Sequence, residues 1–201
     1  FLVPENCVWE GAEEGVIDCL EAAFEKLVAK GAVIDRGQVP EFDAVTDLCN
    51  NVGNLFSPEA YGEWRDILEN KSDCIYDEVT RRFKMAENMS SIDVAEAFHT
   101  LRKLRGRYLK RIAAYDAVLM PTTPITPPAI APLEADSAAY GAANISALYN
   151  TRLGNLLALS GLTLPAGLAD GLPVGLMLFG LPRRENALLR NAAGIEKVLS
   201  A

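Results

Sequence analysis

The chain has 201 residues, half of them hydrophobic and 23% charged, with a formal net charge of −8. That apolar content excludes a disordered chain, and only 15 Gly and 11 Pro exclude a collagen-like or low-complexity one. A length near 200 residues suffices to bury about 70% of the unfolded surface, and the acidic balance argues against direct nucleic-acid binding, which needs a positive footprint.

In chain order, Phe1-Leu2-Val3-Pro4 reads as the end of a strand already under way. Residues 13–30 carry apolar side chains at helical spacing (Val16, Ile17, Leu20, Ala23, Phe24, Leu27, Val28), and Lys30-Gly31 closes them as a basic last turn before a C-cap glycine. Ala32-Val33-Ile34 then begins a short strand, so residues 1–40 read as a βαβ unit with a parallel pair. Residues 41–113 read as a helical segment. It holds a helix over 42–55, an N-cap at Ser57-Pro58-Glu59, and a long helix opened by Asp93-Val94-Ala95-Glu96. The apolar side of that last helix is Val94, Ala97, Phe98, Leu101, Leu104, Tyr108 and Ile112, and His99 beside it reads as structural. Its basic residues, from Arg102 to Arg111, spread over more than one face and read as a solvated surface.

Residues 114–201 change character. Asp116–Met120 is a short buried strand running into four prolines within residues 121–128. A helix over 138–157 precedes two apolar strands, 161–167 and 174–180, that flank Asp170-Gly171 as a hairpin. Both strands lack polar alternation, so both faces should be covered. A helix over 184–199 ends the chain. The fold class is therefore α/β, a mixed sheet covered by helices.

The apolar stretch 153–181 is interrupted by Asn155, Ser160, Gly161, Pro165, Gly167, Asp170, Gly171 and Pro173, and reads as strands and turns rather than a membrane span. The four cysteines, Cys7, Cys19, Cys49 and Cys74, form no C-x-x-C pair, and one histidine cannot complete a zinc site by local spacing. The expectation is reduced, mostly buried thiols in a cytoplasmic protein, with no metal and no cofactor.

There is no G-x-S-x-G, P-loop, G-x-G-x-x-G or H-E-x-x-H motif. Thr122 and Thr123 sit in a proline-stiffened loop just past a strand's carboxyl end, where α/β sheets place ligands. Two readings stand at that point: a ligand-facing loop, or a loop that only turns the chain.

The stretch Tyr115-Asp116-Ala117-Val118-Leu119-Met120-Pro121-Thr122-Thr123-Pro124 resembles the Y-D-x-L-L-x-P-T-x-P segment of the amidase signature family. Asn155, Gly161 and Leu164-Pro165-Ala166-Gly167 are loosely similar to its N-x-x-G-x-P-x-x-x-x-P-x-G region, and Gly171-Leu172-Pro173-Val174-Gly175-Leu176 to its G-L-P-x-G strand. Two residues depart from the pattern: Thr163 stands where a small residue or Pro is usual, and Met177 where Gln is common.

The resemblance implies the carboxyl-terminal part of an amidase-signature fold spanning 1–201, from an enzyme that hydrolyses linear amides by acyl transfer to a serine. The family's Ser–cis-Ser–Lys triad lies in or before a Gly/Ser-rich stretch upstream of the segment that Phe1 matches. This chain holds no Gly-Gly-Ser or Ser-Ser-Gly, so no catalytic residue is assigned in it and it is expected to be inactive alone. Its expected share is the pocket wall: Thr122 and Thr123 first, then Asn155. Arg81 and Arg82 lie roughly where the A-type subunits of amidotransferases keep an arginine for a carboxylate, or else are an exposed helix end. The expected partners are a small-molecule amide, the missing amino-terminal half, and further copies of the chain. Alternatives are a fragment of the A-type subunit of a tRNA-dependent amidotransferase, or a non-catalytic self-associating module.

Overall fold

The computed structural model describes residues 1–200, with Ser72 described by its backbone alone. Five strands form one mixed sheet: β1 (Leu2–Pro4), β2 (Asp35–Gly37), β3 (Val118–Pro121), β4 (Ser160–Ala169) and β5 (Leu172–Gly180), in the order β2-β1-β3-β5-β4. β1 pairs parallel with β2 and β3, whereas β5 runs antiparallel to both β3 and β4.

Side-chain alternation along the central strands sets the two helical layers. Leu119, Leu176 and Leu178 face one side, where α1 (Glu14–Ala29) packs Val16, Leu20, Ala23, Phe24 and Leu27 beside Leu188, Ala192 and Ile195 of α9 (Glu185–Leu199). Val118, Met120, Met177 and Phe179 face the other. They meet α2 (Pro40–Val52) and a long helix, Ser91–Arg111, through Phe42, Val45, Leu101, Leu104 and Tyr108. Between α2 and that long helix, which is α5, lie α3 (Ser57–Asn70) and α4 (Asp77–Lys84). No described helix is long and apolar enough to cross a membrane.

Several local details differ from the expectations. The second strand is Asp35–Gly37, because residues 32–34 carry the chain from the helical layer to the sheet, and Val33 is 73% exposed. Val28 and Phe98 are also exposed, each lying at the margin of its helix's buried stripe. Ser57 lies inside α3 instead of capping it, and its hydroxyl donates to the Arg82 carbonyl at 2.8 Å. Ser90, three residues ahead of Asp93, caps α5 by accepting the Asp93 N–H. His99 is exposed, with Nδ1 3.4 Å from the Arg102 guanidinium. Of the four free thiols only Cys7 is buried, and Cys74 is exposed. Burial, with the Asp43 carboxylate beside it, pushes the Cys7 thiol up to about 12.

The helix expected over 138–157 is two helices, α7 (Ser137–Leu148) and α8 (Thr151–Leu156), preceded by a short α6 (Ile130–Ala135). The break falls at Tyr149-Asn150. Asn150 is fully buried, and its amide donates to the carbonyls of Val8 and Pro121, each at 2.9 Å.

The hairpin turns at Asp170-Gly171, with φ of 50° and 80°, which suits a two-residue turn that matches strand twist. β5 is covered from Leu176 to Gly180. β4 is not covered on both faces: it is an edge strand, burying Leu164, Ala166 and Ala169 while Gly161, Thr163, Pro165 and Gly167 stay exposed.

Candidate functional site

The loop after β3 is tied down on every side. Before it, the Pro121 carbonyl accepts from Asn150. The Thr122 N–H donates to the Gly175 carbonyl at 2.9 Å, and the Thr122 hydroxyl donates to Thr163 Oγ1 at 3.1 Å. The Thr123 hydroxyl turns into its own loop and donates to the Ile125 carbonyl at 2.9 Å. From the start of α1, the Glu13 N–H donates to the Pro124 carbonyl, while the Glu13 carboxylate accepts from the N–H and hydroxyl of Thr126 at 2.9 and 2.7 Å. Four prolines lower the loop's unfolded-state entropy and these bonds anchor it at Thr122, Thr123, Pro124 and Thr126, so it is a rigid shelf.

Thr163 connects that shelf to a cleft. Between α8 and the β4–β5 hairpin lies a shallow opening of about 260 Å³, lined by Thr151, Asn155, Thr163, Met177 and Phe179 among others. Thr163 and Met177 are direct cross-strand partners, with the threonine hydroxyl 3.8 Å from the thioether sulfur. Phe179 lies close against Gly154 and Gly161, where a Cβ would fall 2.5 and 2.9 Å from its ring. Larger residues at either position would displace the ring.

Asn155 lies on the rim, exposed, with no side-chain hydrogen bond among the described residues. Thr151 donates its hydroxyl to the Leu148 carbonyl at 3.2 Å. The positively charged neighbours do not line the cleft. Arg105 donates to the carbonyls of Leu157 and Ala158 at 2.9 and 3.3 Å, and the Arg152 guanidinium lies 4.5 Å from the Tyr149 ring centroid.

Of the residues singled out from sequence, Asn155 lines the cleft, Thr122 touches it through Thr163, and Thr123 faces its own loop. Arg81 and Arg82 lie apart on α4. Arg81 pairs with Glu78, whose other oxygen accepts the Ser137 hydroxyl, and Arg82 pairs with Asn144 and stacks 5.7 Å over the Tyr140 ring. The Ser137 hydroxyl and the Arg81 guanidinium hold the Glu78 carboxyl below the usual carboxylate range. These contacts join α4 to α7, which buries no residue of its own. Sequence reasoning marks Thr163 and Met177 only as departures from a pattern. The small and polar residues Gly161, Thr163, Pro165 and Gly167, at every second position, are the signal that this strand carries a surface face. Among the described residues no group of three or more metal-type ligands occurs. A second hollow of about 150 Å³, lined by Tyr115, Asp116 and Arg184, lies at the opposite end of β3.

Comparison with known proteins follows the same outline. A family model described as Amidase matches residues 3–189. The chain is 30% identical over 198 residues to a 2-amino-5-chloromuconic acid deaminase of Comamonas testosteroni, covering 98% of this chain and 42% of that protein. It is 27% identical over 217 residues to the A-type subunit of the glutamyl-tRNA(Gln) amidotransferase of Halobacterium salinarum, covering 97% and 50%. Among solved structures, a variant of Kluyveromyces lactis allophanate hydrolase superposes with a TM-score of 0.80 at 22% identity, over 98% of this chain and 31% of that one, a likeness of fold. The chain thus spans half or less of the length of these relatives.

Proposed function

The chain belongs to the amidase family, and from that premise we propose that it is the carboxyl-terminal portion of an amide-hydrolysing enzyme. The observation that carries this reading is a match along nearly the whole chain to less than half of a 2-amino-5-chloromuconic acid deaminase. In the proposed reaction a serine oxygen attacks the amide carbonyl, ammonia or an amine leaves, and water releases the acid. The serine and its lysine-linked base are assigned to residues outside the 201, because the sequence holds no Gly-Gly-Ser or Ser-Ser-Gly.

This portion supplies the sheet and one wall of the substrate pocket. Asn155 and Thr163 face the bound molecule, Thr122 orients Thr163, and Thr123 stiffens the loop behind them. Arg81 and Arg82 hold α7 against α4. The open edge of β4, with Ile130, Ile145 and Leu148 exposed, supports burial against further protein, including other copies. Four free thiols fit a reducing, cytoplasmic setting.

The test compares the 201-residue chain with the polypeptide encoded by its extended reading frame. Hydrolysis of simple amides by the longer polypeptide alone is expected. Turnover by the 201-residue chain above a buffer control would refute the assignment. A second reading, a portion of the A-type subunit of a tRNA-dependent amidotransferase, draws on the match to such proteins. It requires a stable complex with a second, different polypeptide, and free acceptance of simple amides counts against it.

A further inference from the structure

We propose that the cleft between α8 and the β4–β5 hairpin receives an uncharged part of the substrate, an amide or alkyl group, and discriminates against a carboxylate there. The inference rests on the amidase reading above and adds the substrate class.

Among the described residues no charged side chain lines the cleft, whose floor and walls are Phe179, Met177, Thr163, Thr151 and the rim residue Asn155. The guanidinium groups of the surrounding elements do not line it. Arg105 caps the carbonyls at the end of α8, Arg152 lies on Tyr149, and Arg81 and Arg82 are bound to Glu78, Asn144 and Tyr140. At the start of β4, Ser160 donates to the Glu185 carboxylate at 2.8 Å. A carboxylate entering the cleft would exchange water for threonine hydroxyls, a thioether and an aromatic face, with no opposite charge among the lining side chains. A neutral amide finds the unpaired donor and acceptor of Asn155, and an alkyl chain finds the apolar faces of Met177 and Phe179. Thr163 keeps that surface in place: its bonds to Thr122 and Met177 fix the hydroxyl away from free rotation.

The probes are butyramide and succinamate, which share the amide and chain length and differ by a methyl against a carboxylate. Each is titrated into the methyl-labelled protein that carries this chain, and the Met177 and Thr163 methyl resonances are followed by NMR. Butyramide should shift both methyls, and succinamate should bind about ten-fold more weakly or worse. Asn155→Lys and Thr163→Lys, both at exposed positions, should each improve succinamate binding by about ten-fold; the first leaves the Thr122–Thr163 bond intact. Succinamate binding as tightly as butyramide, or neither probe moving these methyls, would overturn the inference. Methyl shifts without butyramide hydrolysis would sink the hydrolase reading and leave this one standing.

Discussion

Thr122 donates its hydroxyl to Thr163 at 3.1 Å in the space that a Cβ on Gly175 would fill, 2.8 Å from Thr122 Oγ1 and 2.8 Å from Thr163 Cγ2. The loop after β3 and the edge strand β4 therefore meet across β5 only because residue 175 has no side chain. Both threonines are β-branched and have few rotamers in which to retreat. Gly175→Ala should cost about 1–3 kcal/mol by overpacking and separate the two hydroxyls. Urea unfolding reads the stability loss. An unchanged midpoint would mean that the loop yields freely, contrary to a rigid shelf.

A gain is expected at Ala158. It adopts φ of 48° at the end of α8, where Leu159 N–H bonds the Gly154 carbonyl and Ala158 N–H bonds the Asn155 carbonyl, at 2.9 and 3.0 Å. This is the left-handed position that closes a helix and that glycine fills without strain. Ala158 is exposed, so removing its methyl opens no cavity. Ala158→Gly should stabilise the protein by about 0.5–1 kcal/mol, raising Tm by about 1–3 °C in a thermal melt. A lowered Tm would show that the cost of glycine's unfolded-state freedom outweighs the relief of strain.

The contrast between these positions shows what the sequence could reveal. Local signals were legible: the Asp170-Gly171 turn, the α1 stripe and the proline-rich loop each depend on neighbours within a few residues. The break between α7 and α8 was not: the side-chain NH2 of Asn150 there reaches carbonyls 142 and 29 positions away, contacts that no local pattern specifies. The open face of β4 was marked only by small and polar residues at every second position, Gly161, Thr163, Pro165 and Gly167, while its place at the sheet edge was not legible. Thr122 and Asn155 stood out through motif and position. Thr163 acquires its place in the site only once β3, β5 and β4 are side by side.

Acid sensitivity should arise in part at Glu78. The carboxyl sits below its usual value of 4.5, held there first by the Ser137 hydroxyl and then by Arg81. A depressed folded-state value means that the unfolded chain takes up a proton first as pH falls. The stabilisation is therefore fully present above about 4.5 and is lost as pH drops through the lower folded value. Glu78→Gln should be less stable than the parent at neutral pH and show a shallower loss below pH 4.5, the two curves converging in acid. Unfolding midpoints measured from neutral pH into strong acid decide this, and parallel curves would exclude the contact as a source of acid sensitivity.

The most severe single change is expected at Asn150. Its side-chain NH2 hydrogen-bonds both the turn after β1 and the end of β3, through the carbonyls of Val8 and Pro121. Asn150→Ala leaves two carbonyls without donors in a site with no solvent exposure, at a cost of about 2–4 kcal/mol. Asn150→Asp keeps the shape but points a carboxylate at those carbonyls, so it should be worse than alanine at neutral pH and recover as the side chain protonates in acid. Because Pro121 leads directly into Thr122, the damage should spread along the loop. Amide hydrogen exchange at Thr122 and Thr126 should accelerate in Asn150→Ala, while the amides of the α1 core helix keep their protection relative to global stability. Uniform acceleration at all of these amides would reduce Asn150 to one more stabilising contact. Selective acceleration would mark it as the residue that holds the threonine shelf in place.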